Sequence, residues 1–186
     1  MSTTTVPTTL TDLTGTWALD PSHSRVGFVA RHAMVTKVRG AFNEFDGTAT
    51  IGSDINDTAI ALTIQVGSVD TRNADRDGHL KSGDFLEIEK FPTITFASTS
   101  TKAVGSTLEV TGDLTIKDTT RSITIPFDFE GAALDPFGNV RVGFEGSVAI
   151  NRRDYGVTWN AALETGGVLV SDKITLEFEV SAIKSA

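Results

Sequence analysis

Residues Ile174–Val180 read ITLEFEV, and the fold class turns on how these seven residues are read. Ile174, Leu176, Phe178 and Val180 fall on one phase of a period of two, with Thr175, Glu177 and Glu179 on the other. A strand sends successive side chains to opposite faces, so this pattern buries one face and wets the other. The same separation recurs upstream. SITIPFDF sets Ile123, Ile125, Phe127 and Phe129 against Ser122, Thr124, Pro126 and Asp128. VRVGFEGSVAI sets Val140, Val142, Phe144, Val148 and Ile150 against Arg141, Glu145 and Ser147. LEVTGDLTI groups Leu108, Val110, Leu114 and Ile116, and IALTIQV groups Ile60, Leu62, Ile64 and Val66. SRVGFVARHA, GAFNEFDGTATI and TITFAST are further strand candidates, and the clusters GSDIND, AVGST and DPFGN supply the hairpin turns.

The expected fold is therefore all-β, with about eight antiparallel strands. A sheet of that size with one apolar face must cover it, either with a second sheet or by closing into a barrel, which also removes exposed edges. A barrel of about eight strands has an interior just wide enough for side chains or one small ligand. Gly112 and Gly146 fall on the apolar phase of their strands. They mark either bulges and bends or a lumen left roomy, and both readings stand. The alternation breaks from about Thr71 to Pro92, where one or two short helices fit, interrupted by Gly78 and Gly83 and stopped before Pro92. Residues 1–12, rich in threonine, read as a disordered tail, and residues 13–186 as one domain.

Composition narrows the function classes. A net charge of -8 and a pI near 4.8 argue against nucleic acid as a partner and against a basic grip on an anionic membrane. The absence of cysteine excludes disulfides, thiolate nucleophiles and cysteine-held metals. No run approaches the roughly 20 apolar residues of a membrane span, so no stable membrane insertion is expected. The N-terminus lacks the basic and apolar segments of a secretory signal, so the chain reads as soluble and cytoplasmic unless a leader has been removed.

Few residues carry chemistry. His23, His32 and His79 have no metal-ligand spacing, and neither a metal nor a cofactor is expected. His32 shares the phase of Val26, Phe28 and Ala30, which makes it either a satisfied core histidine or a polar group near the lumen mouth. Ser82, His79 and Asp77 would make a triad on paper, but no nucleophile elbow or oxyanion pattern surrounds them. No phosphate loop, dinucleotide fingerprint or EF-hand loop occurs. NRRDYGVTW, Asn151–Trp159, reads as a strand-end loop whose Arg152 or Arg153 pairs with the acidic surface.

Several stretches coincide with one family. HSRVGF (His23–Phe28), VRGAFNEFDG (Val38–Gly47), RDGHLKSGDF (Arg76–Phe85), FPTITFAST (Phe91–Thr99), GDLTIKDTTR (Gly112–Arg121) and NRRDYG (Asn151–Gly156) occur in the order of the YceI-like proteins. The chain resembles these lipocalin-like polyisoprenoid-binding proteins from Trp17 to Ile183, with RDGHLKSGDF the most specific element. The resemblance implies a lipocalin-like barrel whose lumen holds a polyisoprenoid, an isoprenoid quinone or a similar fatty-chain amphiphile. It also implies a homodimer, and an exported protein in many members. On this reading Phe28, Ile64, Phe96, Leu114, Phe127 and Phe144 line the lumen, with Leu176, Ala30, Phe42, Val66 and Ile116 beside them and His32 near the polar group. Arg72–Phe85 becomes an end lid, with Leu80, Phe85 and Leu86 turned inward and Trp159 close by. The alternative is an enzyme that sequesters an apolar substrate and uses His32, His79, Asp77 or Arg152 as acid–base groups.

Overall fold

The computed structural model describes residues 4–185. The short N-terminal strands are β1 (Gly15–Leu19), β2 (Arg25–His32), β3 (Thr36–Phe42), β4 (Phe45–Ile51), β5 (Thr58–Gln65) and β6 (Val69–Asp70). Helix α1 (Ala74–Lys81) follows, and then the long strands β7 (Thr93–Val104), β8 (Thr107–Ile116), β9 (Thr119–Leu134), β10 (Val140–Asn151) and β11 (Lys173–Lys184). The order β1-β4-β5-β7-β8-β9-β10-β11 closes through a β1–β11 pairing, giving an eight-stranded antiparallel barrel. The alternation in the sequence thus becomes a barrel wall, apolar phase inward. The region between residues 71 and 92 holds one α-helix, followed by turns.

Strands β2, β3 and β6 extend the sheet beyond the closed ring. They arise because three strands are broken at the same level. A 3-10 turn at Pro21–His23 separates β1 from β2, Asn43 and Glu44 separate β3 from β4, and a 3-10 turn at Val66–Ser68 separates β5 from β6. The breaks are tied together: Asn43 N donates to Ser68 O at 3.1 Å, and Gln65 N donates to Glu44 O at 2.9 Å. Ser24 and Ser181 exchange hydrogen bonds of 3.1 and 2.9 Å where the first break crosses β11. Both β1 and β2 lie on the same edge of β11, Leu19 opposite Ala182 and Arg25 opposite Glu179. Beyond the breaks the ring opens into a flap.

The opposite wall also parts. Pairing between β9 and β10 stops at Phe127–Gly146, although β9 continues along β8 to Thr119 and β10 along β11 to Asn151. The 3-10 turn Arg152–Tyr155 packs against β9 at the foot of this seam, with Tyr155 buried. Lys117 Nζ, from the β8–β9 turn, donates to Gly156 O at 3.2 Å.

Two polar networks fasten the ends. Arg152, only 4% exposed, donates from Nε to Ser171 O (2.9 Å), from Nη1 to Val157 O (2.7 Å) and from Nη2 to Val170 O (3.4 Å). The surface pairing expected for Arg152 is therefore a minor part of its role: its planar fork draws residues 157–171 into one loop. That loop is bonded to the end of β2 through Ser171 N to Arg31 O and Ala33 N to Leu169 O. At the other end, Arg141 bridges Asp20 and Asp135, each at 2.7 Å.

Of the tail expected over residues 1–12, residues 1–3 lie outside the described part, and Leu10–Asp12 form a 3-10 turn. Leu10 and Leu13 are 4% and 1% exposed, and Trp17 Nε1 donates to Leu13 O at 2.8 Å. Burial of these two leucines holds the segment that polarity alone would leave free.

Two predictions follow from the fastenings. The Arg141 guanidinium, with Ser22 and His23, holds Asp20 well below the usual carboxylate range, and the Asn139 N–H with Arg141 lowers Asp135 to about 2. Both folded values lie below the unfolded one, so the stability they confer is full above about pH 4 and is lost as pH falls through the lowered values. The melting midpoint of Arg141→Met is expected to lie below that of the parent at neutral pH and the gap to narrow progressively from about pH 4 to pH 2; a gap independent of pH would contradict the linkage. Arg152→Lys is expected to cost about 2–4 kcal/mol, because one ammonium cannot satisfy three divergent carbonyls. Hydrogen exchange of residues 157–171 should accelerate before that of the barrel strands.

Candidate ligand-binding lumen

The barrel encloses a cavity of about 180 Å³. A water needs roughly 10–15 Å³ of such space, and engineered apolar cavities of about 150 Å³ stay dry and take up benzene. Apart from Ser24, Thr48, Thr58 and Glu179, the lining is apolar side chains and glycine. Ile60, Leu62, Phe127, Phe144, Leu176 and Val180 line it and are only half-buried. Side chains in a solid core would be closed off almost completely, as interiors pack like organic crystals. These six instead face open space.

The hollow depends on how the aromatic rings lie. A Cβ at Gly112 would come 2.6 Å from the Phe96 ring, and one at Gly146 2.8 Å from the Phe127 ring. A Cβ at Gly40 would likewise strike the Phe28 ring. Each phenylalanine therefore lies across a glycine of the adjacent strand, flat along the wall and not upright in the lumen. The two readings of Gly112 and Gly146 prove compatible, since register shifts also occur beside Gly112, between Ser98 and Ser100, and near Gly146, between Gly143 and Phe144.

The residues expected to form the site divide into two groups. Phe42, Ile64, Phe96 and Leu114 line the cavity, as do Ile116, Phe127, Phe144 and Leu176. Phe28 packs on Phe42 at 5.6 Å in the flap, with Ala30 next on its phase, and neither lines the cavity. His32 is exposed, contrary to the inward position its phase implied, because β2 ends there, paired with Thr36 at the start of β3 and bridged to Val170. Val66 is buried in the 3-10 turn between β5 and β6. The lining also holds Leu13, Trp17, Leu19, Val26 and Ile51, which sequence reasoning missed. β1 has five residues, too few for alternation to stand out, and Trp17 was the available signal. Val110, Ile125, Val142 and Phe178 lie on phases already marked apolar and line it too.

Leu80, Phe85, Leu86 and Trp159 gather at the helical end instead of in the cavity wall. His79 stacks edge-on against Phe85 (4.9 Å) and Trp159 (4.7 Å), and those two rings lie 5.4 Å apart. The charges of RNADRDGHLKSGDF hold this cap in shape. Asn73 caps α1 by accepting from Arg76 N at 3.0 Å. Asp77 Oδ1 accepts from Thr71 N and Oγ1 at 2.9 and 2.6 Å. Arg76 donates to Thr71 Oγ1 and O at 2.7 and 2.6 Å, and His79 Nε2 meets Asp84 Oδ2 at 2.8 Å.

Of the acid–base candidates, Asp77, His79 and Arg152 are engaged away from the lumen, and His32 is exposed at the end of β2. Ser82 Oγ donates to the main-chain oxygen of His79 at 2.6 Å, and Asp77 is bound to Thr71, so the paper triad does not assemble. None of His32, Asp77, His79 and Arg152 lines the cavity. Among the described residues no cluster of three His, Asp or Glu side chains is placed to hold a metal ion. What the arrangement can do chemically is remove an apolar group from water.

Comparison with known proteins agrees with this geometry. The chain matches the YceI-like domain over residues 17–182. It is 41% identical over 170 residues to a UPF0312 protein of Staphylococcus aureus, covering 89% of this chain and 95% of the relative. A UPF0312 protein of Pseudomonas aeruginosa is 42% identical over 137 residues, covering 73% of this chain and 71% of the relative. Among solved structures, BcnA of Burkholderia cenocepacia superposes with a TM-score of 0.77 at 24% identity, covering 88% of this chain and 98% of that one. A polyisoprenoid binding domain from Saccharophagus degradans superposes with a TM-score of 0.70 at 16% identity, covering 90% and 98%. Sequence order, barrel topology and these matches agree: the chain belongs to the YceI-like family.

Proposed function

We propose that the protein is a non-catalytic carrier that holds the apolar chain of a polyisoprenoid, an isoprenoid quinone or a similar amphiphile in its barrel. The observation that carries this reading is the apolar lumen, where Ile60, Leu62, Phe127, Phe144, Leu176 and Val180 stay half-buried although the barrel around them is closed. The polyisoprenoid binding domain of the same fold supports the ligand class.

The energetics suit such a ligand. Each buried methylene contributes about 0.8 kcal/mol, so a five-carbon isoprene unit gains roughly 4 kcal/mol before the cost of ordering the chain. A few units bind tightly without any group that makes or breaks bonds. Residues outside the cavity wall, including His79 with Asp84 and Arg152 with its carbonyls, have structural work that accounts for them.

The direct test is native mass spectrometry and organic extraction of purified protein, where a co-purifying prenyl or acyl lipid is expected. An empty protein that also refuses prenyl alcohols would overturn the proposal. Ala49 lines the lumen and is half-buried, so Ala49→Trp fills space that a ligand would occupy. It is expected to weaken binding of a fluorescent prenyl probe at least roughly tenfold, the worth of two displaced methylenes, with the melting midpoint unchanged or higher. Replacing His32 and His79 by alanine should leave that affinity within about threefold, since neither residue supplies buried apolar area to the lumen.

A further inference from the structure

The β2–β3 hairpin and the start of α1 have a chemistry that lumen binding does not use. Between Ala30 and Asn43 the chain carries Arg31, His32, Lys37 and Arg39 and no acidic residue. Arg31 stands directly opposite Lys37 in the register. Like charges so placed repel, and folding alone gives no reason to keep them there. Both lie on the phase of Arg39, opposite to that of Phe42, which lines the lumen. These cations therefore face outward, on the far side of the sheet from any bound chain.

Arg72 and Arg76 join Lys37 and Arg39 around a shallow groove of about 390 Å³ floored by Val38, Thr71 and Asn73. Four acids lie near it and offset part of its charge, but among the described residues only Glu177 forms an ion pair with a groove cation. Asp70 accepts from the main-chain N–H of Arg72, Asp77 is held by Thr71, Asp75 lies in the first turn of α1, and Glu177 is 3.7 Å from an Arg39 that remains 60% exposed. Lys37 and Arg72 have no ion-pair partner among the described residues. At the hairpin tip, Ala33 and Met34 have φ of 50° and 62°, a left-handed turn that ordinarily takes Asn and Gly. Met34 and Val35 are 53% and 74% exposed.

An apolar tip projecting beyond a group of outward cations matches an anionic bilayer, the side chains entering the acyl boundary and the cations meeting phosphates. We propose that the tip Met34–Val35 and the groove of Lys37, Arg39, Arg72 and Arg76 form a docking face for an anionic phospholipid membrane. Cargo exchange at that membrane rests on the carrier reading; the docking does not. The net charge of -8, which argues against attraction of the chain as a whole, confines the grip to this one face, because the acidic remainder of the surface is repelled from the same bilayer.

Co-sedimentation with vesicles of phosphatidylcholine alone, and of phosphatidylcholine with phosphatidylglycerol, tests this. The full chain is expected to partition onto the anionic vesicles, to release as salt is raised, and to ignore the neutral ones. K37E/R39E should lower the partition constant at least roughly tenfold, and M34S/V35S should lower it on the same vesicles while leaving salt sensitivity in place. Prenyl-probe affinity, measured in parallel, should be unchanged in both variants. That separates failure of docking from failure of the carrier reading and confirms a folded barrel. Failure to bind anionic vesicles, equal binding to neutral ones, or partition unaffected by K37E/R39E would overturn the proposal. So would inorganic diphosphate binding to the groove while vesicles do not, since the anion site would then be a soluble one.

Discussion

An eight-stranded barrel has barely more interior than its own side chains fill, so whether this one is hollow depends on where its aromatic rings lie. Phe96 and Phe127 lie across Gly112 and Gly146 of adjacent strands. The same two phenylalanines set upright would occupy the space that ligands need. A glycine in a strand weakens it locally, and here the loss is recovered as ring-to-backbone contact that leaves the centre open. The lining around that opening is almost wholly apolar. The wall tolerates a void because its lost packing is concentrated in one place that another apolar molecule can fill.

The aligned breaks and the seam then determine how the hollow meets the outside. One side of the ring is built from short strands that break together, opening the flap, and the other from long strands that part between β9 and β10. Both departures lie toward the end closed by α1, the His79–Phe85–Trp159 cluster and the loop fastened by Arg152. That end is held by hydrogen bonds and rim aromatics, and the far end by the Arg141 bridges. Apolar burial makes the barrel, and polar fastening shapes its ends.

How much of this was legible in the sequence depended on the length of each element. Strands β7 to β11 run for ten residues or more, and their alternation showed clearly enough to identify the lumen face. Phe96, Leu114, Phe127, Phe144 and Leu176, expected from the alternation together with the family resemblance, line the cavity. β1 and β6, with five and two residues, carry too little periodicity to be seen. GAFNEFDGTATI read as one strand because nothing in Asn43–Glu44 announces a break that depends on a hydrogen bond to Ser68. His32 shows the converse limit: phase was read correctly, but a phase confers burial only while neighbouring strands continue, and β2 ends at that residue. Arg152 looked like a surface cation because its three carbonyl partners lie up to nineteen residues away.

The claim beneath all of this is that a chain-like apolar molecule occupies the space between the rings and the opposite strands. The most direct measurement is a crystal structure of the protein purified from cells or soaked with a prenyl alcohol. The account predicts elongated density running through the barrel past Phe96, Leu114 and Phe144, with the phenylalanine rings still lying on their glycines. Rings turned into the lumen, packed against one another with no space for a chain, would contradict it.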